Sequence, residues 1–139
     1  MTNPIFDAMQ ISASGMRVQG TRLRVISENI ANAGTTGDTP GADPYQRQTI
    51  SFKNELDRAE GFRKVEVDDI GVDTESDFVL KFEPDHPAAD ERGYVKYPNV
   101  KTLIEVMDSR EAQRSYEANL GMIEQARTMA LRTIDMLRG

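Results

Sequence analysis

The chain has no cysteine, no tryptophan and a single histidine, His86, among its 139 residues. Without cysteine there is no disulfide, no thiolate nucleophile and no Cys-ligated metal. Aromatic residues make up 6% and the apolar set 38%, below the ~45–50% usual for globular domains, so a large conventional core is not expected. No apolar run approaches the ~20 residues needed to cross a bilayer. The first ten residues, MTNPIFDAMQ, have neither the basic nor the apolar stretch of a cleaved secretory signal. The protein is therefore expected to stay in the cytosol or to leave by a route that needs no such signal. A net charge of −6 argues against nucleic acid as a partner, since that requires a basic face.

What is present falls into three segments: an N-terminal helix in 1–34, a β-rich insert in 35–98 and a C-terminal helix in 99–139. Asn3 before Pro4 reads as a capping side chain followed by proline at the first helical position. Met9, Met16, Leu23 and Ile30 then recur every seven residues, a narrow seam for a partner helix. Ile5 and Ile26 lie on the same stripe, which Ser12 and Gln19 interrupt. In the last segment Tyr116, Ile123, Ala130 and Leu137 repeat the seven-residue step, with Leu120 and Ile134 alongside. Thr102 to Glu105 reads as a capping box. At ~1.5 Å per residue this helix would be roughly 55 Å long, which is long for a compact domain of this size.

The insert differs in kind. It holds every proline except Pro4, and residues 65–93 carry ten acids against two basic residues. Tyr45–Phe52, Lys64–Ile70 and Phe78–Phe82 alternate β-branched or aromatic residues and read as short strands. The expected fold is mainly α with a small β insert, the terminal helices pairing as an antiparallel, coiled-coil-like bundle. Neither seam can be hidden by so small an insert, so the helices must pair with each other, with other subunits, or both.

Searches for chemistry give structural readings. Gly15 and Gly20 have phosphate-loop spacing, but Thr21 stands where the lysine belongs and no strand precedes them. Asp73, Glu75 and Asp77 begin like a calcium loop, yet Phe78 and Pro84 occupy the positions that need Gly and Glu. His86 has no hydroxyl or thiol nucleophile visibly beside it. The helical methionines read as adaptable packing. Tyr116 and Asn119 lie together on the C-terminal helix, either as ordinary core residues or as a hydrogen-bonded contact that sets specificity between helices.

Against these residues the chain resembles a known family. Ser14, Gly15, Met16, Gln19, Arg22, Leu23, Asn29, Ile30, Ala31, Asn32 and Thr35 match the N-terminal pattern of the bacterial flagellar axial proteins, the rod and hook group. Pro40–Gln48, Gly93–Val100 and Arg114–Gly139 are similar to a proximal-rod type within it. Gln46 and Lys101 depart from that type, and Lys53–Asp90 matches only loosely. The resemblance implies a structural, non-enzymatic subunit without cofactor or metal, assembling into a helical tube that transmits torque. Its implied partners are other rod proteins, copies of itself and the flagellar type III export apparatus, with no nucleic acid and no membrane span. The implied location is the periplasmic rod, reached without a cleaved signal. Assembly is expected to use Met9, Met16, Leu23, Asn29, Ile30, Asn32, Tyr116, Asn119, Leu120, Ile123, Ile134 and Leu137. The alternative is a soluble helical adaptor or chaperone-like module whose seam receives a client helix.

Overall fold

The computed structural model describes residues 3–58 and 61–139. Its elements are α1 (Pro4–Ala31), β1 (Gln48–Asp57), β2 (Phe62–Val72), β3 (Val79–Phe82), β4 (Tyr94–Tyr97) and α2 (Thr102–Arg138). Two long helices and a small strand region match the expected fold class. Helix α1 starts where the sequence signals it: the Asn3 Oδ1 accepts the Ile5 N–H at 3.0 Å, and Asp7 N–H closes the first turn onto Asn3 O. It stops at Asn32, whose Nδ2 donates back to Glu28 O at 2.9 Å while its Oδ1 accepts the Thr35 hydroxyl at 3.1 Å. An asparagine placed there satisfies a last-turn carbonyl that has no helical partner.

The strands form two separate two-stranded sheets, β1 with β2 and β3 with β4. The short link from Asp57 to Phe62 leaves no room for the crossover of a dozen or so residues that a parallel pair needs, so β1 and β2 are antiparallel. Strands β3 and β4 are antiparallel with Val79 opposite Tyr97 and Phe82 opposite Tyr94. Strand β4 was not expected from the sequence pattern. Gly93 precedes it at φ +83°, and a Cβ there would lie 2.9 Å from the Phe82 ring, so only glycine fits the turn.

Contacts gather the chain into two groups: Met1–Leu23 with Ser51–Asp69 and Arg110–Gly139, and Arg24–Ile50 with Ile70–Ser109. Both helices contribute to each group. In the first group the buried residues are Ser12, Ser14, Val18, Ala112 and Ala126; in the second they include Val25, Ile26, Asn29, Ala88, Val95, Asn99 and Glu105. The core is small in both, as the composition requires.

Candidate assembly surface

In the first group the helices run antiparallel. Arg22 meets Glu111 at 3.3 Å, Gly15 lies against Asn119, and Pro4, Ile5 and Ala8 share an apolar groove with Met122, Gln125, Ala126 and Met129. Rising numbers on α1 thus meet falling numbers on α2. The contact line on α1 is Ala8, Gly15 and Arg22, each seven residues apart, with Ser12 buried beside it. On α2 it is Ala112, Asn119 and Ala126, again seven apart. This differs from the expected pairing of Met9, Met16, Leu23 and Ile30 with Tyr116, Ile123, Ala130 and Leu137. The apolar seam of α1 lies one residue further on, ~100° round the helix, and is only half-buried.

Small side chains explain the choice. A Cβ on Gly15 would fall 2.8 Å from Asn119 Nδ2 and 3.0 Å from its Oδ1. The missing side chain admits the amide and lets the helices come close, whereas methionine or leucine on that line would hold the axes apart. Asn119 Nδ2 donates to Ser115 O at 2.9 Å. Ser14, buried and one residue before the notch, donates from Oγ to Ile11 O at 2.6 Å and accepts the Val65 N–H at 3.3 Å, which ties β2 to α1.

In the second group the contact is a polar network. Asn29 is 1% exposed. Its Oδ1 accepts from the Tyr45 hydroxyl and from Gln48 N–H, both at 2.8 Å, and its Nδ2 donates to Gln48 O at 2.9 Å and to Glu105 Oε2 at 3.5 Å. Glu105, equally buried, is paired with the Arg47 guanidinium, which also lies 3.9 Å from Asp73. Asn99 accepts the Arg47 N–H at 2.8 Å and donates to the carbonyls of Asp73 and Ser76. Burial foremost, then the carboxylates of Glu28 and Glu105, raise the Tyr45 hydroxyl above its ordinary pKa. Glu105 therefore does not close the capping box expected with Thr102. Its N–H bonds to Lys101 O, and its carboxylate turns to Arg47.

The loop acids and His86 are also engaged locally. Hydrogen bonds from the Ser76 backbone and hydroxyl hold the Asp73 carboxyl below the usual range. That makes an Asx turn from Asp73 to Ser76 in place of a calcium loop. His86 is not an isolated loop side chain: its Nδ1 accepts the Ala88 N–H at 3.0 Å. Gly15 and Gly20 lie within α1 and form no phosphate loop. The histidine and the asparagines of the network have structural partners in place of a nucleophile.

The residues expected at an assembly interface separate into two sets. Asn29, Asn32 and Asn119 are engaged inside the chain. Met9, Met16, Leu23, Ile30 and Ile123 are half-buried, while Tyr116, Leu120, Ile134 and Leu137 are exposed. Every residue from Leu131 onward is exposed, and Leu137 reaches 85%. The Arg47, Glu105 and Tyr45 network escaped sequence reasoning. No local signal marked it, because Glu105 already had a reading as half of a capping box and Arg47 lies far away in sequence.

Two family profiles match the sequence: one described as flagella basal body rod protein over residues 9–37, the other as flagellar basal body rod FlgEFG protein C-terminal over residues 91–136. The chain is 54% identical to the flagellar basal-body rod protein FlgC of Agrobacterium fabrum, over 98% of this chain and 97% of that protein. It is 34% identical to FlgC of Borreliella burgdorferi, over 97% and 99% of the two chains, and 34% identical to FlgC of Escherichia coli, over 95% of each. The N-terminal profile spans Gly15 and Asn29; the C-terminal one spans Asn99, Glu105 and Asn119.

Proposed function

The chain belongs to the FlgC flagellar basal-body rod proteins, and from that membership we propose that it sits in the proximal rod, part of a helical tube that transmits torque. It is a structural subunit of the basal-body rod and not an enzyme. The adaptor alternative is not favoured. Its neighbours in the tube are other rod proteins and further copies of itself. It reaches the periplasmic rod through the flagellar type III export apparatus, without a cleaved signal. The absence of cysteine suits a chain threaded unfolded into an oxidising compartment, because no wrong disulfide forms there.

The observation that carries this reading is the amount of apolar helix surface left uncovered: Met122, Met129, Leu131, Ile134, Met136 and Leu137 are all at least half exposed. Side chains of this size exposed along the last turns of a helix are open to cover by a partner. Subunits that meet through different faces form open helical assemblies. The test is Ile134→Asp, at a half-exposed position on the last turns of α2 where a buried charge would oppose assembly. Cells carrying it should export the protein yet fail to swim, and isolated basal bodies should lack it. Normal incorporation of Ile134→Asp would overturn the proposal.

A further inference from the structure

The small sheet of β3 and β4 has two unlike faces. Alternation places Val79, Lys81, Val95 and Tyr97 on one side, where Val95 is fully buried and Lys81 lies over the Tyr97 ring at 4.2 Å. Leu80, Phe82, Tyr94 and Lys96 share the other side. There Leu80 is 61% exposed, Phe82 64% and Tyr94 42%, with the two rings in edge contact at 5.4 Å. Among the described residues nothing covers this apolar face. Its setting is acidic: Asp77 precedes β3, the link to β4 carries exposed Asp85, Asp90 and Glu91 against the single cation Arg92, and Lys96 is tied to Asp43 at 3.0 Å.

The first turns of α2 carry a stripe of opposite character. Leu103, Met107, Arg110 and Arg114 fall within ~60° of one another on the helix wheel. All four are exposed, Leu103 at 74% and Met107 at 62%. Two apolar side chains followed by two guanidinium groups complement an apolar patch bordered by carboxylates.

We infer that the exposed face of the β3–β4 sheet docks on the Leu103–Arg114 stripe of a second copy of this chain. The charge pattern favours a second copy because an acidic face and a basic stripe on the same chain complement each other. The contact joins two different surfaces, so each subunit keeps one of each free and the contact propagates in one direction. The carboxylates repel an approach by a second β3–β4 face, which disfavours a closed symmetric dimer. The inference rests on the rod-subunit reading above and says which surfaces meet within it.

The natural absence of cysteine makes the test clean. In cells whose only copy is Leu80→Cys with Met107→Cys, oxidation of isolated basal bodies should yield covalent dimers and longer ladders, while each single variant stays monomeric. Monomer alone, or a covalent bond to a different rod protein, would overturn the inference. A second test uses charge. Arg110→Glu with Arg114→Glu should cut incorporation into basal bodies about tenfold through like-charge contacts, and adding Asp85→Lys with Glu91→Lys should restore it. Failure of that restoration would count against the contact. Complete absence of the wild-type protein from basal bodies would instead sink the rod-subunit reading.

Discussion

Arg24–Ile50 and Ile70–Ser109 bury a carboxylate and two amides that are bonded together with the half-buried Arg47; Met1–Leu23, Ser51–Asp69 and Arg110–Gly139 bury two serines, two alanines and a valine. The first set is held by directional bonds whose partners are far apart in sequence. The second is held by proximity, through a glycine notch and small side chains that bury little area. Directional bonds fix a geometry but fail sharply when one member is lost. A shallow small-residue contact fails gradually and leaves more of each helix for outside partners. Both groups leave apolar side chains uncovered: the shallow one along the end of α2, the polar one on the β3–β4 sheet and the first turns of α2.

The largest expected effect is in the polar network. Arg47→Ala leaves Glu105 buried without its cation, at a cost of about 3–5 kcal/mol. Amide exchange should then accelerate across Arg24–Ile50 and Ile70–Ser109. If Arg110–Gly139 in the isolated subunit still exchanged more slowly than these regions do in the wild type, the contrast between the two groups would be wrong.

Gly15→Ala comes next and changes sign with background. The added Cβ collides with Asn119, an overpacking cost of about 1–3 kcal/mol. With Asn119→Ala the collision is gone, and alanine's helix propensity should make Gly15→Ala stabilising by up to ~1 kcal/mol. Denaturant melts of the four proteins in this cycle test it; equal effects in both backgrounds would mean the notch does not set the helix approach.

Ser14→Ala should cost about 1 kcal/mol, since a buried side chain loses bonds to Ile11 O and Val65 N–H. Its signature is local: faster exchange at the Val65 amide with α2 unchanged. An unaltered Val65 amide would show that β2 is tied to α1 by other contacts.

The smallest effect is on acidification. Asp73 has a lowered pKa in the folded chain, so its contribution is present above the ordinary carboxylate value and is lost as pH falls through the lowered folded value. The Glu75 and Ser76 amide resonances should shift over that acid range, and Asp73→Asn should remove the step. A step that persisted in Asp73→Asn would assign it to another acid.

Local signals in the sequence were legible. Asn3 before Pro4 marks the start of α1 because cap and helix are neighbours, and Asn32 marks its end for the same reason. Periodicity found both helices but placed the seam one residue off on α1, because it weights apolar residues and the structure packs Ala8, Gly15 and Arg22. Strand β4 was missed because YVKY has only four residues between Gly93 and Pro98. Glu105 was read as half of a capping box, since its partner Arg47 is 58 residues away and no local pattern joins them.

The spacing of the Asn29 bonds has a kinetic consequence. Tyr45 and Gln48 lie 16 and 19 residues from Asn29, but Glu105 lies 76 away. Closing the longer loop costs roughly 1 kcal/mol more in chain entropy than closing the shorter one. The turn from Asn32 to Gln48 should therefore close on the end of α1 first, as contacts near in sequence form sooner. That step places the Asn29 amide and the Arg47 backbone together before α2 arrives. Helix α2 then docks on a template already built, and the glutamate in its first turn finds its counter-charge in place.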